Sequence, residues 1–133
     1  MEPPVAYEKT FDARYGLEIE EPAEEGVLRG RIPVSEKLLT RHGFVHGGVF
    51  AAAAEALAST GTFVAVMGDG YAAMGQSNDT TMLGTLSEGE IRATARLAHR
   101  AHDAWVWTVD AEDADGAPLA HSRVTVAVRP MRR

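Results

Sequence analysis

The stretch HGGVFAAAAEALAST, residues 46–60, sets one carboxylate in a run of small apolar residues. Glu55 is the only charged side chain between Gly47 and Gly68. A carboxylate partly removed from water resists ionisation or is costly as a charge, which suits a base or a nucleophile. On a helix, Gly48, Ala51, Ala52, Glu55, Ser59 and Thr62 share one side. That stripe is small or polar throughout, while Val49, Phe50, Leu57, Phe63 and Val64 occupy the other sides. A floor of Gly and Ala with a carboxylate halfway along forms a slot for a ligand. The plain alternative is that Glu55 faces water, since Glu is a good helix former and is almost never buried unpaired. A solvated helix face usually carries several charges rather than one.

Just upstream, His46 precedes two glycines where the helix should begin. Glycines there leave the first-turn amides unobstructed, and the helix dipole adds positive potential. Such amides can polarise a carbonyl whose oxygen gains charge during reaction. The alternatives are a tight turn or close packing for Gly47 and Gly48, and a backbone-bonding role for His46. His42 and His46 have the spacing of a helical metal pair, but Gly43 lies between them and no third ligand follows. Ser59, His99 and Asp110 could supply a triad, yet no serine sits in a nucleophile-elbow pattern. No metal and no cofactor are expected.

These groups need a helix and something to hold it. The pattern predicts one from Gly47 or Gly48 to about Val66, stopped by Gly68 and Gly70. Residues 1–15, with Pro3 and Pro4, read as a short lead-in with one helical turn. Leu17 and Ile19, then Val27, Ile32 and Val34, suggest an early hairpin. EKLLTRHGFVHGG, residues 36–48, reads as a loop with one turn near 36–39, delivering the chain to the helix. From Tyr71 the period becomes two: strands are expected over YAAMGQSNDTTML, GEIRATARLAHR and AWVWTVDAED, with a last one after an Asp115-Gly116 turn. Ile91, Ala93, Ala95 and Leu97 should line the buried face of the second of these. Arg92, Arg96, Asp110, Glu112 and Arg123 should pair across the solvated face. The result is an α+β domain, a long Ala-rich helix wrapped by a curved antiparallel sheet of five or six strands.

The 133 residues suit one domain, taken as residues 1–133. With 45% hydrophobic and 24% charged residues, a packed core is expected. A net charge of -6 argues against a nucleic-acid partner. The absence of cysteine removes disulfides, thiol nucleophiles and thiolate metal sites, and fits a cytoplasmic setting. The longest apolar stretch, about 49–67, holds Glu55, Ser59, Thr60, Gly61 and Thr62, too polar for a membrane span.

HGFVHGGVFAAAAEALAST resembles the hotdog-fold acyl-CoA thioesterases, the phenylacetate-degradation type and, more closely, the branch acting on 4-hydroxybenzoyl-CoA and 1,4-dihydroxy-2-naphthoyl-CoA. The shared elements are His46-Gly47-Gly48, the acidic Glu55 nine positions after that His, and Ser59 four further on. Weaker likeness runs from about residue 15 to 130, through His99-Arg100, the Trp107 strand, the DADG turn and the terminal VAVRP. The resemblance implies a hotdog fold and hydrolysis of an aromatic or medium-sized acyl-CoA to acid and free CoA. Glu55 would attack the thioester carbonyl or activate water. The Gly47 amide would polarise that carbonyl, His46 would shape the site, and Ser59 would hold the water or orient the carboxylate.

The family site forms between subunits of a homodimer or homotetramer, Glu55 from one and the HGG of another. Gly48, Asn78, Asp79, Thr80 and Thr81 would line the substrate site, the alternative for the last four being cross-strand polar pairs, and Arg100 would meet the CoA phosphates. Where the family often has Gln or Asn, six residues before the motif His, this chain has Thr40, which is shorter. Where the naphthoate branch carries a strand histidine it has Met82, which argues against that substrate. The competing reading is a non-catalytic acyl-CoA-binding protein. A hydratase would need a His–acid pair converging on a β-carbon, which the helix lacks.

Overall fold

The computed structural model describes residues 4–131; the start of the lead-in, with Pro3, lies outside them. A short helix, α1 (Phe11–Tyr15), precedes strands β1 (Glu18–Ile19) and β2 (Val27–Pro33). The long helix α2 (Gly47–Val66) follows, then β3 (Tyr71–Met82), β4 (Glu90–Arg100), β5 (Ala104–Glu112) and β6 (Pro118–Pro130). The six strands form one antiparallel sheet in the order β1-β2-β4-β5-β6-β3. It curls around α2, as the Ala-rich helix predicted.

Local chemistry sets the element ends. The Thr10 hydroxyl accepts from the Ala13 amide at the start of α1, and Gly16 ends it with φ 81°. Such left-handed geometry favours glycine. His46 caps α2 through its ring, and a turn at 67–69 with Gly70 at φ 85° stops it. With that turn, α2 is long and apolar enough to cross a membrane. Phe50, Ala53, Ala54, Leu57, Ala58 and Val66 on it are buried in the core, while Val64 is exposed.

Leu57 and Ala58, fully buried, meet Trp105, Trp107, Val109, Val124 and Val126. Nearer the helix start, Phe50 and Ala53 pack with Tyr15, Ile32, Ile91 and Leu119. Small residues allow the close approach. A methyl group at Gly30 would lie 3.2 Å from a Leu57 methyl, and one at Gly61 would lie 2.7 Å from the Trp107 ring. Trp107 Nε1 donates to Thr62 Oγ1 at 2.9 Å, and Thr62 donates to the Ala58 carbonyl at 2.9 Å. Both side chains are buried. Thr62→Val should therefore strand the indole N–H and cost about 1–3 kcal/mol, read by urea or thermal unfolding.

Three expectations need correction. In the early hairpin, β2 turns Leu28, Gly30 and Ile32 inward, so Val27 and Ile32 lie on opposite faces. Thr62 is bonded under Trp107, so the small-residue stripe of α2 ends at Ser59. On the outer sheet face, Arg92 stands opposite Glu112 in register but its ion pair is with Glu90, at 2.8 Å. Asp110 lies 2.7 Å from His121 Nδ1. Neighbours along one strand and across the adjacent one outcompete the expected partners.

Candidate active site

Everything at the site hangs on α2. His46 is extended (φ -64°, ψ 134°), and its Nδ1 accepts from the Gly48 amide at 2.8 Å. The Val49 amide donates to the His46 carbonyl at 3.0 Å. The Gly47 amide makes no hydrogen bond among the described residues. Of the two glycines expected to offer free amides, Gly47 does so and Gly48 is occupied by the cap. Because Nδ1 accepts, the ring proton sits on Nε2 when His46 is neutral. The end of the Met82 side chain lies over Gly47, where a methyl group would collide with Met82 Cε.

Two turns further along α2, Glu55 is exposed in the protomer. Burial expected to tune this carboxylate is absent at this level; the water-facing alternative describes the single chain. Glu55 is nonetheless held on one flank. Its side chain lies across Gly75 of β3, where a methyl group would fall 2.8 Å from Glu55 Cδ and 3.1 Å from Oε2. Gly75 also opens a bulge, since the β3–β6 register shifts between Gly75 and Ser77. A glycine inside a strand pattern is the sequence signal of such an approach, and the motif-based reading overlooked it. Gly75→Ala should push Glu55 aside and lower turnover about tenfold or more, since misplacement on the ångström scale has effects of that size. Steady-state kinetics on the folded variant reads this.

Ser59, one turn beyond Glu55, has a buried Oγ with no hydrogen-bond partner. A buried hydroxyl left orphaned in the protein is one that water or a ligand can satisfy. Ser59, Glu55, Ala52 and Ala56 line a common concavity with Phe11 and Asp12 of α1. No periodicity or motif marks α1 as reaching this groove.

The remaining candidates separate. Asn78 and Thr80 point toward α2: Asn78 Nδ2 donates to the Ala51 carbonyl at 2.9 Å. Thr80 Oγ1 bonds Asn78 Oδ1 and Ser122 Oγ, each at 2.7 Å. Asp79 and Thr81, alternate on the strand, stand on the opposite, outer face opposite Arg123 and His121. The four therefore do not share one pocket wall. Thr40 is a turn residue whose Oγ1 accepts from the His42 amide at 3.1 Å. Arg100 ends β4 with its guanidinium 4.4 Å from the Trp105 ring. β4 runs from Ile91, packed near the start of α2, toward Leu97, packed near its end. Arg100 therefore sits away from Gly47 and is not brought to the Gly47 end of the helix. His42 stacks on Phe44, and Asp110 is bonded by His121 rather than by His99.

No family model matches the chain. It is 30% identical over 118 residues to the 1,4-dihydroxy-2-naphthoyl-CoA hydrolase of Listeria monocytogenes, covering 89% of this chain and 94% of that protein. It is 28% identical over 121 residues to the proofreading thioesterase EntH of Klebsiella pneumoniae, covering 91% and 87%. A mutant thioesterase from Pseudomonas aeruginosa superposes with a TM-score of 0.88 at 27% identity, covering 93% of this chain and 88% of that one. One long helix inside a six-stranded antiparallel wrap, and likeness to these proteins over nearly the whole length, lead to one conclusion. The chain belongs to the hotdog-fold thioesterases, a family of thioester hydrolases.

Proposed function

We propose that the protein hydrolyses an aromatic or medium-sized acyl-CoA to the free acid and CoA, at a site shared between two copies of the chain. Glu55 attacks the thioester carbonyl or activates the water that does. The Gly47 amide of the other copy stabilises the oxyanion. Ser59 Oγ, lacking a partner in the protomer, holds the water or the carboxylate. One observation carries the sharing. Gly47 and Glu55 are eight residues apart on one helix, a separation of about 12 Å. A single carbonyl cannot touch both in one chain.

The sheet offers the means of pairing. β3 is a twelve-residue edge strand, and Tyr71, Met74 and Met82 on it are exposed, Met74 by 61%. A long edge strand with unpaired backbone groups favours strand addition. Two copies joined along β3 carry their α2 helices side by side, with Gly75 and Glu55 on the flank facing the partner.

Thiol release from a panel of acyl-CoA esters tests the reading. The expected result is turnover of aromatic and medium-chain esters. Binding without release would favour a non-catalytic acyl-CoA-binding protein.

A further inference from the structure

The groove beside Glu55 is asymmetric in charge. Its central concavity, about 380 Å³, is lined by Phe11 and Asp12 of α1 and by Ala52, Glu55, Ala56 and Ser59 of α2. Through Phe11 and Ala52 it continues into a second concavity at the helix start, walled by the apolar Tyr15, Leu38, Leu39 and Val49, with Arg14, Lys37, His46 and Gly48 also lining it. One end thus carries two carboxylates, and the other carries two cations beside the positive end of the helix dipole. A CoA thioester is asymmetric in the same sense, with a polyanionic carrier at one end and the acyl group at the other. Charge complementarity sends the carrier toward Arg14 and Lys37 and leaves the carboxylate-lined concavity to the acyl group.

α1 is built to present fixed groups. Thr10 caps its start, and the Gly16 and Leu17 amides both donate to the Asp12 carbonyl at 3.1 Å. Tyr15 is buried and its Oη donates to Asp12 Oδ1 at 2.9 Å. Burial pushes the Tyr15 hydroxyl well above its ordinary value, with the Asp12 bond and the charges of Asp12, Tyr7 and Glu55 adding to it. It stays a neutral donor and leaves the other Asp12 oxygen unclaimed by Tyr15. Phe11 packs against the Tyr15 ring, centroids 5.3 Å apart at 60°, yet is 66% exposed. An anchored aromatic ring at the lip of a small-residue floor is an apolar contact awaiting an occupant.

We propose that α1 is the acyl-selecting element: Phe11 packs on the acyl group, and Asp12 rejects acyl groups that carry their own carboxylate. The enzyme accordingly takes neutral, apolar acyl thioesters, aromatic ones included. This rests on the reading of Glu55 as the reactive group. Rejection by a like charge is selection against the wrong substrate rather than tighter binding of the right one.

The test compares kcat/KM for benzoyl-CoA, acetyl-CoA and glutaryl-CoA in the wild type and in Phe11→Ala, Asp12→Asn and Glu55→Gln. Phe11→Ala should lower the benzoyl-to-acetyl ratio about tenfold, the effect of losing roughly one aromatic contact. Asp12→Asn keeps an acceptor for Tyr15 and should raise the glutaryl-to-benzoyl ratio at least about tenfold. A merely structural role would move all three substrates by one factor. If Glu55→Gln abolishes turnover while Phe11→Ala and Asp12→Asn both keep the wild-type ratios, α1 does not select the acyl group and the function of Glu55 stands. If the wild type releases thiol from none of the esters, both readings fall.

Discussion

Glu55→Ala should lower kcat for acyl-CoA hydrolysis by at least about two orders of magnitude, the usual effect of deleting a base or nucleophile. The side chain is exposed in the protomer and makes no ion pair or hydrogen bond among the described residues. Replacing such a surface residue usually changes stability by less than about 0.5 kcal/mol. An activity loss with an unaltered unfolding curve therefore isolates chemistry from folding. Because Glu55 lies against Gly75 rather than in a salt bridge, its position is set by shape, and Glu55→Gln keeps that shape while removing the charge. The glutamine variant should be nearly as impaired as the alanine. Comparable turnover in wild type and variant would remove Glu55 from the mechanism.

Gly47→Pro should lower kcat by about 10²–10³, the effect expected for losing one oxyanion donor. Proline is tolerated at the first position of a helix, where its missing N–H has no intrahelical partner. Its demand on the preceding residue is already met by His46 at ψ 134°. The substitution thus deletes the one amide left free at the start of α2 while the Gly48 cap on His46 can persist. Any added carbon at this position displaces the Met82 terminus, the far end of a flexible side chain. Gly47→Ala carries the same intrusion but keeps the N–H, so the gap between the two variants measures the donor. Equal activity in proline and alanine variants would assign the loss to Met82 instead.

Much of the fold was legible because it is local. The helix limits follow from a cap, an uninterrupted small-apolar run and a double-glycine stop, and the strands from Tyr71 onward follow from their period of two. The inward set of β2 was misread because Gly30, without a side chain, hides the alternation that Leu28 and Ile32 continue. The candidate site reads from the sequence as a motif and not as a surface. His46, Gly47, Glu55 and Ser59 lie on one element with readable spacing. Phe11 and Asp12 reach Glu55 only through a tertiary contact, and no periodicity encodes that. Thr62 shared the helical stripe with Glu55 but is buried, because the sheet closes over the second half of α2. Asn78 to Thr81 read as one polar cluster, yet a strand sends alternate side chains to opposite faces.

The central claim is that each site takes Glu55 from one copy and the Gly47 amide from another. Mixing Glu55→Ala and Gly47→Pro chains by co-refolding, then measuring thiol release, tests it most directly. In a mixed two-fold pair, one site combines both defects and the other combines an intact Glu55 with an intact Gly47. Random pairing of equal amounts then restores about a quarter of wild-type turnover from two nearly inactive parents. Activity no greater than the mean of those parents, with mixed pairs shown to have formed, would contradict the shared site.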